Sequence, residues 1–221
     1  MKIMMLRVGI DRGCGGILSP RYDDGSYDYI PIPESADAAN PEKSVRYSVL
    51  PSIHGGTLAN LFGGAEFAHY DPEFETFTYG DPTAKKRGPL STLENGDYLI
   101  FYAGFSGNGI ELGTLYAIGY FVVDNVYKIP MNEPWPTTSL SFLANNAHMK
   151  RLNADPDLVI VKGDPEKSKK FLKCKQISNG NRKTLPELAP ILGYEKDLTR
   201  ASIRHINTEY HESTLAWLNN L

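Results

Sequence analysis

The chain has 221 residues, of which 41% are hydrophobic, and it carries a formal net charge of −3. This length and composition fit one medium-sized domain with a substantial core. The sequence has no secretory signal and no apolar stretch of the roughly 18 residues that a membrane span needs, so we expect a cytoplasmic protein without a membrane segment. Its two cysteines, Cys14 and Cys174, show neither zinc-ligand spacing nor a disulfide framework.

Charge is distributed unevenly along the chain. Residues 1–149 contain 10 Lys and Arg against 17 Asp and Glu, a balance of −7, whereas residues 150–204 contain 13 against 7, a balance of +6. A basic segment can contact a phosphate backbone, but solvated surfaces are also commonly rich in lysine. Both interpretations of the basic segment stay open at this point.

The N-terminal segment joins an apolar strand to a charged, glycine-rich loop. Met1–Leu6 predicts a buried strand, and Arg7, Asp11 and the pair Gly15-Gly16 follow it. An arginine can bind an anion, an aspartate can accept from a polar donor, and glycines let backbone approach a ligand. The segment therefore predicts a binding loop or, with equal weight, a hairpin loop with a surface ion pair.

Two further short strands are predicted before a long loop. The strands are Tyr27–Ile32 and Arg46–Leu50, and the loop extends from His54 to Pro89. Loops of this length are usually functional or disordered, and the aromatic content of this one argues against disorder. Its aromatic residues are Phe62, Phe67, Tyr70, Phe74, Phe77 and Tyr79.

Within this loop, His69 and Asp71 are two residues apart, so their side chains project from the same side of an extended segment. They could act as a base and its orienting carboxylate. They could equally be two ligands of a divalent metal, completed by Glu66, Glu73 or Asp81. The third alternative is that Asp71-Pro72 begins a turn and His69 packs locally. No metal-ligand set is assigned from the sequence, and the cofactor remains unknown.

The clearest secondary structure is a hairpin formed by Tyr98–Phe105 and Leu112–Val126, whose strands are apolar on both faces and therefore central. Beyond it, Asp157–Lys162 predicts a strand. Helices are predicted at Ser139–His148, at Pro165–Phe171 with Asp164 as its cap, at Leu185–Leu192 and at His205–Leu221.

These elements predict one α+β domain over residues 1–221, with a β-rich core over about 1–130 and a basic α/β part over about 139–221. The sheet is expected to be mostly antiparallel or a small barrel, with helices toward the C-terminus. The final helix carries an apolar stripe that ends with Trp217, Leu218 and Leu221, which could pack internally or dock a partner.

Two candidate binding residues lie in the C-terminal part. His148 follows Asn145 and Asn146, and asparagines can read a base edge while a histidine can transfer a proton. A helix end decorated with polar residues is the simpler explanation and is preferred from the sequence. Lys162 lies at a strand end before the predicted helix, where a lysine and backbone N–H groups could hold a phosphate. The surrounding sequence lacks the P-loop pattern, so ATP hydrolysis of that type is not indicated.

Several motifs in a fixed order resemble one family. The match is good over about residues 1–125 and looser beyond, where Ala147-His148 and Val161-Lys-Gly-Asp164 are fainter matches. The motifs are Arg7-x-Gly9-x-Asp11, Gly15-Gly16-x-x-Ser19-Pro20, Pro31-Ile-Pro33, His69-x-Asp71-Pro72 and Gly96-Asp97-x-x-Ile-Phe-Tyr102. Together they resemble the third type of nucleotide modification associated domain. The Gly96-Asp97 turn before an apolar strand also looks like a segment of small barrels of the PUA and ASCH kind, which implies that architecture as an expectation.

The family resemblance implies a role in DNA base hypermodification, by making, handling or binding an altered nucleobase or nucleotide. It implies Arg7, Asp11, Ser19, His69 and Asp71 as the preferred site residues. Combined with the reading of the residues themselves, this predicts Asp11, His69 and Asp71 as catalytic residues. The predicted substrate-binding residues are Arg7, Gly15, Gly16, Ser19, Tyr102, His148 and Lys162. The expected partner is a nucleotide or nucleic acid, DNA more than RNA. Tyr70 stands where the family usually has leucine, which bears on ligand identity.

Two functional hypotheses follow. In the first, an enzyme holds a phosphate or carbonyl with Arg7, exchanges protons through Asp11 and His69, and orients His69 with Asp71. In the second, a non-catalytic module with a PUA-like barrel stacks a base on the aromatic residues of 62–79 and grips the backbone with residues 150–204.

Overall fold

The computed structural model describes residues 1–129, 138–194, 198 and 203–221. Its strands in chain order are β1 (Ile3–Arg7), β2 (Ser19–Pro20), β3 (Ile32–Pro33), β4 (Val45–Arg46), β5 (Phe67–His69), β6 (Thr78–Asp81), β7 (Tyr98–Ser106), β8 (Leu115–Ile129), β9 (Leu158–Gly163), β10 (Lys169–Gln176) and β11 (Arg204–Ile206). The helices are α1 (Ala84–Leu90), α2 (Ala189–Leu192) and α3 (His211–Asn219). None of these helices has the length and apolar character needed to cross a bilayer.

Eight strands form one mixed sheet in the order β11-β1-β7-β8-β9-β6, with β10 added to β8 and β2 to β7. Most pairs are antiparallel, while β7 pairs in parallel with β1 and with β2. A second, three-stranded sheet has the order β3-β5-β4. The predicted α+β class, with an antiparallel or mixed sheet and helices near the C-terminus, is confirmed, and the sheet is open rather than a closed barrel.

The predicted hairpin is the centre of the large sheet. Strand β7 lies opposite β8 from Tyr98↔Val122 to Gly104↔Leu115. Side chains alternate between two cores: Phe101 and Phe105 face one, whereas Ile100 and Tyr102 face the other. Burial on both faces explains why the sequence is apolar at successive positions there.

The structure corrects the two short strands predicted in the first half. Only Ile32–Pro33 and Val45–Arg46 are strands, and most of Tyr27–Ile32 and Arg46–Leu50 is irregular. Proline has no backbone N–H to donate to a sheet, which limits pairing around Pro31 and Pro33.

The helix predicted at Pro165–Phe171 is wrong. Residues 165–167 form the turn between β9 and β10, where the Asp164 carboxylate accepts from the Glu166 N–H and from Lys167. The chain then pairs with β8 and buries Phe171 and Cys174. This long-range pairing outweighs the local helix signal.

Predicted elements near the C-terminus are shorter in the structure. Ser139–His148 contains short 3₁₀ turns, over Thr138–Leu143 and Ala147–Lys150, in place of one helix. The last helix begins only at His211 because Arg204–Ile206 pairs with β1. The apolar stripe of α3 packs against the second core of its own chain, with Leu218 fully buried there and Trp217 half-buried. The sequence between β8 and residue 138, and parts of 195–202, lie outside the described residues.

Candidate active site

His69 and Asp71 come together at the end of the second sheet. Strand β5 ends at His69, and the Asp71 N–H donates to the His69 carbonyl oxygen at 2.9 Å, so the chain turns tightly at Tyr70. The Asp71 Oδ2 accepts from the Gly80 N–H of β6 at 2.8 Å. Both side chains are buried, which their spacing in the sequence did not predict.

His148 is the third member of this site. It lies in the 3₁₀ turn Ala147–Lys150, where the Asn146 side chain accepts from its N–H at 3.1 Å and donates to Thr78 Oγ1 at 3.3 Å. Its Nε2 lies 3.1 Å from the Gly80 carbonyl oxygen and 3.7 Å from Asp71 Oδ2. A Cβ on Gly80 would approach His148 Cδ2 to 2.7 Å, so only glycine allows this approach.

We refer to His69, Asp71 and His148 as the histidine–aspartate centre. The two imidazole rings are nearly perpendicular, with centroids 4.5 Å apart. His69 Nε2 lies 4.0 Å from Asp71 Oδ2. All three residues are at most 6% exposed, so the centre is enclosed by protein.

Each histidine is oriented by a carboxylate on its far side. His69 Nδ1 lies 2.7 Å from Glu34 Oε2, and His148 Nδ1 lies 2.7 Å from Asp155 Oδ2. Arg151 joins the two carboxylates, because its Nε and Nη2 donate to Glu34 at 2.9 Å each and its Nη1 donates to Asp155 at 2.6 Å. The carboxylate that orients His69 is therefore Glu34, in place of the predicted Asp71.

Burial and these contacts shift the pKa values of His148, Glu34 and Asp71. Burial lowers the pKa of His148 to about 4, against the opposing hydrogen bond to Asp155, so the ring is neutral at pH 7. Burial would raise the pKa of Glu34, but hydrogen bonds from His69 and Arg151 outweigh it and lower the pKa to about 2. Burial raises the pKa of Asp71 well above its ordinary value, although the Gly80 N–H partly offsets this. Because His148 is neutral, its 3.7 Å approach to Asp71 is not an ion pair.

The Asp71 Oδ1 is buried and has no hydrogen-bond partner among the described residues. Such an atom costs free energy in a folded protein, because it has lost water without gaining a donor. The centre thus combines two imidazoles with a carboxylate of which one oxygen is unsatisfied among the described residues.

The metal ligands considered from the sequence have other partners. Glu66 is exposed and pairs with Arg46, and Asp81 pairs with Lys86 at 2.8 Å. Glu73 accepts from the N–H groups of Glu75 and Thr76 in a turn. Among the described residues, the side chain that joins His69 and Asp71 in a group able to hold a metal ion is His148, and none of these three carboxylates belongs to that group.

A second candidate site surrounds the N-terminal loop. Arg7, Asp11, Arg12 and Arg182 line a cavity of about 260 Å³. Arg7 Nη2 lies 3.5 Å from Asp11 Oδ2. Arg12 belongs to the same loop, whereas Arg182 comes from the C-terminal part of the chain. Three arginines against one aspartate give the cavity lining a composition that suits an anion such as a phosphate. We refer to it as the arginine cavity.

Asp11 belongs to the arginine cavity and makes no contact with His69 among its described bonds. Its Oδ1 accepts from the N–H groups of Gly13 at 2.7 Å and Cys14 at 3.1 Å. The structure therefore does not support the expected proton exchange between Asp11 and His69. The Gly15 N–H donates to the Asp11 carbonyl oxygen at 2.9 Å, so it serves the turn rather than a ligand.

Other predicted binding residues have local structural roles. Gly16 adopts a positive φ of 76° and lines a neighbouring cavity with Arg12. Ser19 is fully buried, and its hydroxyl accepts from the Ile30 N–H at 3.0 Å.

Tyr102 is fully buried among the apolar side chains of the second core, where burial raises its pKa, so its role in this structure is packing. The Lys162 ammonium donates to the Thr76 carbonyl oxygen, and the helix N-terminus expected beside it is a strand-to-strand turn. Phosphate binding at Lys162 therefore loses its structural basis.

The aromatic residues of the long loop mainly build cores. Phe74 and Tyr79 are buried in the first core, and Phe62 in a smaller one. Phe67, Tyr70 and Phe77 are half-buried. The aromatic residues of 62–79 therefore do not form the base-stacking surface that the second hypothesis predicted.

Sequence reasoning missed Glu34, Arg151, Asp155 and Arg182. Glu34 directly follows the Pro31-Ile-Pro33 motif, and Arg151 and Asp155 follow His148 at short spacing. These positions next to recognised motifs could have marked the three residues as candidates. Arg182 carries no local signal.

The fold and the centre define a β-rich α+β protein with a buried pair of histidines, each oriented by a carboxylate. The chain belongs to the family of nucleotide modification associated domain 3, whose family model matches residues 2–217. This confirms the family that the motifs predicted.

Among solved structures, the chain resembles the N-terminal domain of Thermococcus gammatolerans McrB bound to m5C DNA. The two share 12% sequence identity over 100% of this chain and 98% of that one, with a TM-score of 0.37. A similarity of this size carries no inference about function. Among curated proteins, none matches the chain.

Proposed function

We propose that this protein is an enzyme that acts on a nucleobase or nucleotide, free or within DNA, and that His69, Asp71 and His148 are its reacting groups. The observation that carries the proposal is the convergence of two oriented histidines on the buried Asp71 carboxylate. The Oδ2 of this carboxylate faces both imidazoles, and its Oδ1 has no hydrogen-bond partner among the described residues. A buried cluster of ionisable groups is costly for folding, and such clusters concentrate at functional sites. Membership of a nucleotide modification associated family supports the substrate class.

The arginine cavity supplies the binding half of this proposal. Arg7 was predicted from the sequence to hold a phosphate or carbonyl, and its neighbours Arg12 and Arg182 strengthen that role. Since guanidinium groups bind phosphate through paired hydrogen bonds, we propose that the cavity holds a phosphate of the substrate.

Expression in a bacterial host tests the enzymatic proposal. Nucleosides from host DNA and from the nucleotide pool are digested and compared by liquid chromatography and mass spectrometry. We expect a changed nucleoside mass or abundance with the wild type and none with Asp71→Asn or His148→Gln. The matched control is His205→Gln, because His205 is exposed on β11. A wild type that leaves all nucleosides unchanged, or an Asp71→Asn variant that retains the change, would remove the proposal.

Phosphate binding is tested separately by calorimetry with a deoxynucleoside and its monophosphate. We expect the monophosphate to bind more tightly, and Arg182→Met to remove that advantage. Equal affinities for both ligands would show that the arginine cavity does not hold a phosphate.

A second candidate function is nucleic-acid binding without catalysis, and strand β10 favours it. Lys169, Lys173 and Lys175 are exposed on this strand, and Leu172 beside them is 91% exposed. Lysines that contact phosphates release counterions, so affinity for DNA should fall steeply with salt. Fluorescence anisotropy with Lys173→Glu tests this function, with Lys43→Glu as the control on another exposed loop. A DNA affinity that does not change with salt concentration would exclude nucleic-acid binding through these lysines.

A further inference from the structure

We propose that the histidine–aspartate centre binds one divalent first-row transition-metal ion through His69, Asp71 and His148. The inference deepens the proposed function, because it names the cofactor of the same centre. It rests on that function for the use made of the ion, while binding itself can be measured without any substrate.

The first argument is the direction of lone pairs. Each histidine has its Nδ1 at 2.7 Å from a carboxylate oxygen, so Nδ1 carries the proton and donates it. A proton on Nδ1 leaves Nε2 as the nitrogen that can bind a metal. Both Nε2 atoms face Asp71 Oδ2, at 4.0 Å and 3.7 Å, too far for a hydrogen bond. His148 Nε2 also lies within hydrogen-bond distance of the Gly80 carbonyl oxygen, at 3.1 Å, and an ion would take the place of that contact. Two imidazole nitrogens and a carboxylate oxygen that converge in this way can coordinate one cation.

The second argument is the unpaired oxygen of Asp71. Its carboxylate receives one hydrogen bond, from Gly80, while the other oxygen is buried without a partner in the described part of the chain. The nearby Lys86 is paired with Asp81. An ion held through both oxygens of the Asp71 carboxylate would meet the histidines on the Oδ2 side and would also satisfy Oδ1.

The third argument is charge. The centre and its contacts include the carboxylates of Glu34, Asp71 and Asp155 and the single guanidinium of Arg151. The cluster therefore holds three carboxyl groups and one guanidinium, so a divalent cation would add positive charge where acidic side chains outnumber basic ones. Buried charges persist only where they are paired or bound to metal.

Distances and donor types indicate the class of ion. Two ligands bound at about 2.0–2.2 Å lie at most about 4.4 Å apart, so separations of 3.7 Å and 4.0 Å fit a shared ion. One ligand atom from each of the three residues lies within 4.8 Å of the others, so small inward shifts suffice. Two imidazoles and one carboxylate suit Fe²⁺, Zn²⁺, Mn²⁺ or Co²⁺ rather than Mg²⁺ or Ca²⁺.

The surroundings resemble a catalytic metal centre more than a structural one. Both histidines donate their remote N–H to a carboxylate, which is how proteins fix histidine ligands. Three protein ligands leave coordination positions open for water or substrate, whereas structural zinc sites are usually closed by four.

The test uses the full chain, stripped with a chelator and reloaded anaerobically with Fe²⁺, Zn²⁺, Mn²⁺, Co²⁺ or Mg²⁺ in separate samples. After desalting, plasma mass spectrometry gives metal per chain, and calorimetry gives affinity. We expect one equivalent of at least one transition ion, with Mg²⁺ bound far more weakly. Asp71→Asn and His148→Gln should abolish stoichiometric binding, and Glu34→Gln should weaken it about 10–100-fold. His205→Gln should bind as the wild type does.

Substoichiometric binding of every transition ion by the wild type would overturn the inference, as would unchanged binding by Asp71→Asn. If the variants fail to fold, the absorption spectrum of Co²⁺-loaded wild type decides, because coordination by protein donors at a site of low coordination number shifts the ligand-field bands and makes them more intense than those of aqueous Co²⁺. A wild type that binds metal but changes no nucleoside would contradict the proposed function alone. Nucleoside modification that persists in metal-free protein would contradict this inference alone.

Discussion

Replacing Glu34 by glutamine should destabilise the protein much more than the same replacement at Glu66. The Glu34 carboxylate accepts from His69 Nδ1 at 2.7 Å and from Arg151 at 2.9 Å twice, and its side chain is 5% exposed. A glutamine keeps one acceptor oxygen, but its amide NH₂ group would then face a donor of Arg151 or His69 that has lost its acceptor. Breaking one partner of a buried ion pair costs about 3–5 kcal/mol, so we expect a loss of about that size in the free energy of unfolding.

Glu66 is the matched control because it accepts from Arg46 Nε at the same 2.9 Å, with a side chain 62% exposed. Exposed pairs contribute about 0–1 kcal/mol, so Glu66→Gln should change stability very little. Urea unfolding followed by circular dichroism gives both values, provided that the slopes agree. A chelator is present in every sample, because a bound ion would add its own stabilisation. Equal stabilities of the two variants would show that the Glu34–Arg151 pair is not the buried contact described here.

Three further substitutions test the packing around the sites. Gly80→Ala would place a Cβ 2.7 Å from His148 Cδ2, and we expect chemical unfolding to show a loss of about 1–3 kcal/mol; an unchanged stability would contradict the close approach. Ser19→Ala would leave the buried Ile30 N–H without its acceptor, so thermal and urea unfolding should show a loss of about 1–3 kcal/mol, against no loss if Ser19 served a ligand instead. Phe74→Ala should cost about 3–5 kcal/mol in stability while DNA affinity measured by anisotropy stays constant; weaker binding at unchanged stability would restore the base-stacking role.

The parts of the fold that could be predicted from sequence are those with strong local signals. Strands β7 and β8 are apolar on both faces because each packs between two cores, and that pattern is visible in the residues themselves. The segment 165–171 has the proline and the aspartate of a helix start, yet it forms a turn and the start of β10. Its structure depends on pairing with β8, about 50 residues earlier in the chain, which no local pattern reports.

The candidate site divides in the same way. His69 and Asp71 could be found because their spacing places them together within one segment. Glu34 reaches His69 only because Pro33 pairs with Ala68 across β3 and β5, and the Glu34 N–H donates to the Phe67 carbonyl oxygen. His148 arrives through Asn146 and the close approach to Gly80, which the sequence does not encode locally.

The basic character of residues 150–204 now has two different explanations. Arg151 is half-buried against Glu34 and Asp155, where its charge balances carboxylates of the centre. Lys162 is also half-buried and donates to the Thr76 carbonyl oxygen, so neither residue is available to a phosphate backbone.

The lysines of β10 remain exposed. If DNA binds there, the number of phosphate contacts is limited by the four exposed lysines of the strand, which are Lys169, Lys170, Lys173 and Lys175. At roughly 0.9 per phosphate, the slope of log affinity against log salt should then be no steeper than about −4. A steeper dependence would require basic residues beyond β10, and the arginine cavity would be the next surface to substitute.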